Sequence, residues 1–399
     1  MPKLTRKTFA QRLQAMQALM QGHAADAIVF TSADFIQYAT NFMVDVLPWE
    51  RPIFTVVAAD GQMHVVFNEL STNHTRFAME KGDLWTGPDQ VSFYAEHPRI
   101  VNRLPLTSEL PALLASVLRR LGLAGKHLMA DGVTGVLQQA VAQLPSTRVS
   151  AMPQALRSLR WVKNDEELAI MRALAQLTDW TQQRFKELYR PGLQTQVLDF
   201  QVAALMAEEA ARRFPGESFD VLRCWTLSGP ASASPHGDGA NCGAVIGKGD
   251  TIVNFVLPRL NGYYVENERT WFVGKPSDMQ KRCFETAREA TEAGVAAARP
   301  GNRVCDIDAA ALAVIHEAGL HEYVFHRSGH AVGLMLHEYP EDMAFNYREL
   351  LAGEVYSSEP GLYVHGLGGF RIDDTVVVGD TPEVLVATPK TLEFATIDA

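Results

Sequence analysis

The chain has 399 residues, enough for two domains with sizeable cores, and its 47% hydrophobic and 21% charged residues exclude a disordered chain. A formal net charge of −10 argues against nucleic acid or an anionic membrane as the main partner, because both need a basic face, and points to a small molecule. Four cysteines, Cys224, Cys242, Cys283 and Cys305, with no C-x-x-C pair, exclude a secreted disulfide scaffold and read as free thiols of a reducing compartment.

The opening stretch MPKLTRKTFAQRLQAMQALM is charged and amphipathic, and no run of about 18 apolar residues follows it, so the chain is expected in the cytoplasm. ADAIVFTS and PIFTVVAADGQMHVVF read as buried strands around a turn, and ELPALLASVLRRLGL has the apolar spacing of an amphipathic helix. These make an α/β domain over 1–160. Near ALRSLRWVKNDEEL the pattern changes, and Asn164 can cap a helix with Glu167 completing a capping box. PGLQTQVLDFQVAALMAEEAARR and DMQKRCFETAREATEAGVAAARPG are further helices, the second closed by Pro300-Gly301. Strand-rich stretches follow, with hairpin turns expected at Asn261-Gly262 and Gly379-Asp380. The fold class is α+β: an amino-terminal α/β domain, then an α+β domain over 161–399 that carries the chemical motifs.

Those motifs come in order. His236 lies in SGPASASPHGDG, Glu266 and Glu268 in GYYVENERTW, His330 and His337 in HRSGHAVGLMLHEYP, Glu359 in SSEPGLY, and Asp373 and Asp374 in GFRIDDTVVV. A lone loop histidine is usually a surface or satisfied core residue. The set together points to one site.

With these motifs the chain resembles the pita-bread family of methionine aminopeptidase, proline-specific aminopeptidase, prolidase and creatinase, through GHAVGLMLHEYP and EPGLY above all. The resemblance implies an amino-terminal creatinase-like domain and a pita-bread catalytic domain. In the peptidases of the family two aspartates, a histidine and two glutamates hold two metal ions. Mapped here, Glu266 stands at the second aspartate, His330 at the histidine, Glu359 at the first glutamate and Asp373 at the second. The first aspartate position, eleven residues before Glu266, is Phe255. Phenylalanine has no lone pair to give, so a dinuclear site is not expected, although four remaining donors leave a single ion open. Glu268 can equally be a structural partner of Arg269, since buried charges are usually paired.

Without metal, Glu266, Glu359 and Asp373 gather beside His236, His330 and His337. Like charges so close cannot all ionise freely, so at least one carboxyl proton should be held to higher pH. Such a pocket favours a cationic ligand. The residues alone reach a hydrolase of a small cationic C–N compound.

Within the family the chain resembles creatinase in Gly262-Tyr263-Tyr264, Glu268-Arg269-Thr270 and WERPIF. This implies that Tyr264 and Glu268 bind substrate and that Trp49 and Arg51 reach the site from the neighbouring subunit of a homodimer. Glu341, four residues after His337, stands where creatinase has its guanidino-acid arginine, which argues against creatine. The chain is more similar to the ectoine-hydrolase branch. That resemblance implies opening of the cyclic amidine ectoine to N-acetyl-2,4-diaminobutyrate without metal or other cofactor, a product suited to a downstream deacetylase. Attack at the amidine carbon, either directly by a carboxylate oxygen or by water that a carboxylate deprotonates, is expected of Glu266, and the resemblance gives His236 the proton transfer. Glu359 and Asp373 hold the amidinium nitrogens, and His330 and His337 supply hydrogen bonds. The alternatives are a metal-dependent X-Pro dipeptidase, a creatinase-like amidinohydrolase on another substrate, and a non-enzymatic binding module.

Overall fold

The computed structural model describes residues 2–95, 109–339 and 343–398; Glu341 lies outside them. Two compact units emerge, Leu4–Arg160 and Trp161–Ala399, the second also taking Met1–Lys3.

The amino-terminal unit is built on β1 (Ala27–Phe30), β2 (Phe54–Ala58), β3 (Met63–Asn68), β4 (Val91–Tyr94), β5 (His127–Ala130) and β6 (Arg148–Ala151), in the order β4-β3-β2-β1-β5-β6. β1 runs antiparallel to β2 and parallel to β5, so the sheet is mixed. Largely apolar runs such as AIVF and FTVVA suit strands covered on both faces, and β1 to β3 are buried throughout. The helix Leu110–Arg120 turns Leu110, Leu114, Ala115, Val117 and Leu118 into the core with Val29, Val56 and Leu128.

In the carboxy-terminal unit, Asn164 caps the helix Asp165–Leu188. Its side chain accepts from the N–H of Glu166 and Glu167, and Glu167 Oε2 accepts from Asn164 N–H at 2.9 Å, the reciprocal box expected from sequence. The expected helices form over Thr195–Arg213 and Asp278–Ala297. The strands are β7 (Phe219–Ser228), β8 (Thr251–Leu260), β9 (Tyr263–Tyr264), β10 (Asn267–Val273), β11 (Val355–Ser358), β12 (Gly361–Val364), β13 (Gly368–Arg371), β14 (Asp373–Val377), β15 (Glu383–Val384) and β16 (Thr396–Ile397). The main sheet runs β11-β14-β10-β8-β7, with β9 on β8, β15 on β14 and β16 on β10, while β12 and β13 form a separate hairpin.

Asn261 and Gly262, at φ 50° and 89°, make the tight two-residue turn between β8 and β9. At Gly379-Asp380 the expected turn joins β14 to β15 as an antiparallel hairpin, Val377 pairing with Glu383 across the loop 378–382. The helix Asp278–Ala297 passes β11 so closely that a Cβ on Gly294 would sit 2.6 Å from Ser358 Oγ. All four cysteines are free, Cys242 exposed and the others buried. Among the described residues no helix is long and apolar enough to cross a membrane.

Candidate active site

Antiparallel register assembles the site. Trp225 on β7 pairs with Phe255 on β8, Phe255 with Glu268 on β10, and Glu268 with Asp373 on β14. Directly paired residues share a face, so these four side chains form one row across the sheet. The next residue on each strand faces the other way, which sends Thr226, Asn254, Arg269 and Asp374 to the back.

Glu266, two residues before Glu268, is fixed by its backbone: its N–H donates to Thr375 Oγ1 at 3.0 Å, and that hydroxyl donates to Glu266 O at 2.9 Å. His330 and Glu359 arrive together. Ser357 N–H donates to His330 O, and Glu359 N–H to Ser328 O, both at 2.8 Å. Gly329 permits this approach, because a Cβ there would lie 2.2 Å from Ser357 O. His330 Nδ1 sits 3.0 Å from Ala331 O and donates to it, so Nε2 presents a lone pair. That nitrogen lies 3.4 Å from Glu266 Oε2 and 3.5 Å from Glu359 Oε1.

Arg371 was not singled out from sequence and proves central. It is 2% exposed, with Nε 2.5 Å from Glu268 Oε2, Nη1 donating to Tyr363 Oη at 3.0 Å, and its guanidinium 4.5 Å from the Phe255 ring centre. Tyr363 in turn meets His326 Nε2 at 2.7 Å. Glu268 is therefore the partner of Arg371, not of Arg269, whose Nη2 donates to Asp374 Oδ1 at 3.0 Å on the back of the sheet. The sequence carried a faint signal for Arg371: it stands two residues before Asp373 in GFRIDD, the period of a strand.

The acids are unequal. Burial pushes Glu266 well above the ordinary carboxylate range, and the charges of Asp373, Glu359 and Glu268 add to it. Asp373 is raised likewise, by burial and then by Glu359 and Glu268. Glu268 is raised to about 7 by burial, with Arg371 pulling the other way. Glu359 is the exception: burial raises it, but His330, His326 and Arg371 together hold it below its usual value. Glu266 and Asp373 thus hold their protons to higher pH than ordinary carboxylates, and Glu359 gives its proton up at lower pH. Glu266 Oε2 and both oxygens of Asp373 are buried without a hydrogen-bond partner.

The remaining predicted residues lie around this centre or away from it. The His337 ring stacks on His330, centroids 3.8 Å apart, at an exposed position. His236 is also exposed, on the loop after Ala233. Partial burial, then Arg371 and Arg223, lower its pKa, while Glu359 raises it. Among the described residues no hydrogen bond joins it to Glu266. Tyr264 is half-buried, with Arg259 5.7 Å from its ring centre. Trp49 and Arg51 belong to the amino-terminal unit, Trp49 80% exposed and Arg51 Nη1 2.7 Å from Glu50 Oε2. Trp225 and Arg223 were missed, because β7 shows no periodic signal that marks its inner face.

A two-ion centre does not fit these residues. Phe255 offers no lone pair, and a guanidinium, itself a cation, covers its ring. Among the described residues the donors that converge are those of Glu268, Glu359 and Asp373, mutually within 4.8 Å. Glu268 takes the place expected of Glu266 and His330 in that set, and it is already paired with Arg371.

Comparison with known proteins follows the same division of the chain. Residues 169–380 match the metallopeptidase family M24, and residues 12–162 the creatinase/prolidase N-terminal domain. An Xaa-Pro dipeptidase of Pyrococcus furiosus is 32% identical over 223 residues, covering 56% of this chain and 62% of that protein. The chain spans less than two thirds of the length of the curated relatives it matches above 30% identity. An Xaa-Pro dipeptidase of Lactobacillus delbrueckii is 27% identical over 372 residues, 92% of this chain and 94% of that one. Among solved structures, dipeptidase PepE from Mycobacterium ulcerans superimposes with a TM-score of 0.80 at 27% identity over the whole of both chains.

Proposed function

We propose that this chain, which belongs to metallopeptidase family M24, is a hydrolase whose substrate is the cyclic amidinium ectoine, opened at a C–N bond to N-acetyl-2,4-diaminobutyrate. One observation carries the reading: Phe255 and the Arg371 guanidinium fill the place where a bridging aspartate would hold two ions, while Glu266 and Asp373 keep unpartnered buried oxygens. An amidinium supplies N–H donors and a positive charge to those oxygens.

The chemistry follows from the unequal acids. A cation beside Glu266 and Asp373 stabilises their charged forms, so on substrate binding Glu266 passes its proton to His236, a neutral base at physiological pH. The freed oxygen adds to the amidine carbon, and the C–N π electrons move onto nitrogen. His236 gives the proton to the departing ring nitrogen, whose C–N bond breaks as the other nitrogen's lone pair forms a C=N bond, leaving the carbon esterified to Glu266. Water adds to that carbon and loses one proton through His236 to the freed amine, and Glu266 leaves with the remaining hydroxyl proton as the amide carbonyl forms. Glu359 and Asp373 hold the amidinium nitrogens, and His330 accepts through Nε2. Activation of water by Glu266 as general base is the closest variant of the same role.

The relatives favour a second reading, an Xaa-Pro dipeptidase, in which Glu268, Glu359 and Asp373 would hold a single divalent ion. Protein dialysed against chelator, then given ectoine or an Xaa-Pro dipeptide with and without manganese, separates the two. Ectoine opening by the metal-free protein, followed by NMR, is the expected result. Dipeptide cleavage that appears only with added ion, and no attack on ectoine, would replace this reading with the second. We further propose that Trp49 and Arg51 complete the site of a second copy of the chain. Mixed Arg51→Ala and His236→Ala chains should then recover activity; no recovery after proven subunit exchange would assign both groups to one chain.

A further inference from the structure

We infer that Arg223 binds the carboxylate of the substrate and thereby selects amidinium compounds that carry an anionic group. This rests on the amidine reading above and adds the element that reading lacks. A carboxylate brought up to Glu266, Glu268, Glu359 and Asp373 is repelled by any of them that is charged, so a zwitterionic substrate needs a cation at the far side of the pocket.

Arg223 is that cation by position. It lies two residues before Trp225 on β7, so strand alternation puts both on the face that carries Phe255, Glu268 and Asp373. Its guanidinium stands 4.6 Å from the Trp225 ring centre. Trp225 meets Phe255 edge to face at 5.9 Å, and Arg371 covers Phe255 from the other end. Two aromatic rings thus form a wall with a guanidinium at each end, and the two guanidiniums are differently engaged. Arg371 is buried and already pairs with Glu268 and Tyr363. Arg223 is half-buried, and no carboxylate of the described residues pairs with it, whereas its neighbour Arg259 is matched by Asp220 at 3.0 Å. Its charge is felt by Glu268 and by His236, so it faces the same pocket. The guanidinium lies over the Trp225 ring and makes no hydrogen bond to a described residue, so its N–H groups are available to a bidentate carboxylate. The aromatic wall between gives the ring of the substrate a flat apolar surface.

The test pairs enzyme variants with substrate variants. Wild type, Arg223→Ala and Arg223→Lys are assayed on ectoine and on 2-methyl-1,4,5,6-tetrahydropyrimidine, the same cyclic amidine without the carboxylate. Arg223→Ala should raise KM for ectoine by roughly 10- to 100-fold, the span of a charge-assisted hydrogen-bond pair, with kcat within a few-fold. It should leave the decarboxylated amidine unaffected, so that the two substrates become nearly equivalent to the variant. Arg223→Lys should fall between, keeping the charge and losing the fork. Equal losses on both substrates would reduce Arg223 to a structural residue, and no loss on either would remove it from the site; both overturn the inference. If wild type opens neither amidine, the underlying reading fails first, and this inference falls with it.

Discussion

Asp373 and Asp374 are consecutive residues of β14, both fully buried, and they face opposite sides of one sheet. On the back, Arg269 and Lys390 both meet Asp374. Around them Gln182 and Asn254 exchange hydrogen bonds at 2.9 and 3.2 Å, and Asn267 Nδ2 donates to Thr178, Asp179 and Thr388. On the front, Asp373 has no hydrogen-bond partner at either oxygen, and Glu266 none at Oε2. Burying a polar group is tolerated when it is bonded and costly when it is not. The back face is therefore a largely paired structural network, with Asn267 Oδ1 and Arg269 Nε left over, and the front face is a set of carboxyl oxygens that the proposed amidinium would pair.

The difference can be broken most severely at Glu266. Glu266→Ala should lower ectoine turnover by about 10³-fold or more, because on the proposed mechanism it removes the attacking oxygen rather than a binding contact. Glu266→Asp, which retracts the oxygen by one carbon–carbon bond, ~1.5 Å, should lose most activity while still binding. Near wild-type rates in either variant would take Glu266 out of the chemistry.

Next in size is the back face itself. Asp374→Asn leaves Arg269 and Lys390 facing each other with no anion, and urea unfolding should show a loss of about 3–5 kcal/mol. A loss below 1 kcal/mol would mean the network carries little stability.

Asp199 probes the same side by pH. It accepts from Thr226 N–H at 3.0 Å and Thr226 Oγ1 at 2.6 Å, and burial raises it to about 7 against those bonds. Its folded pKa lies above its unfolded value, so the folded state holds the proton more tightly. The stability this gives is full below about pH 4, falls as pH rises from there to about 7, and is gone above, a change of up to ~4 kcal/mol. Asp199→Asn should flatten the unfolding profile over that window. An unchanged pH slope would contradict the assignment.

The smallest effect has the opposite sign. Asp373→Asn removes a buried carboxyl whose charged form is disfavoured, so the ligand-free protein at neutral pH should gain on the order of 1 kcal/mol, the equivalent of one pKa unit, while losing affinity for the proposed amidinium. Destabilisation of the size expected for Asp374→Asn would erase the distinction between the two faces.

Much of the framework was legible in the sequence because its signals are local. The Asn164 cap with Glu167, the Asn261-Gly262 turn and the amphipathic helix after Glu109 depend on residues a few positions apart, and each formed as read. The Gly379-Asp380 turn formed too, between antiparallel β14 and β15, with a loop over 378–382 in place of a two-residue one. The motif order also announced that carboxylates and histidines would gather, and His330, Glu266 and Glu359 do so.

By itself, then, the sequence determined the two-part α+β organisation, the loss of a ligand at Phe255 and the acidity of the site. Only the tertiary structure decided which charges pair. Glu268 could reach Arg269 next to it in sequence, but β pleating points consecutive side chains to opposite faces, so Arg269 goes to Asp374 and Glu268 is left for Arg371. The row from Trp225 through Phe255 and Glu268 to Asp373 exists only through strand register. A one-residue slip would turn every member to the other side; the Asn261-Gly262 turn sets the Phe255–Glu268 register locally, whereas the pairings of β7 and β14 with that hairpin join segments distant in sequence.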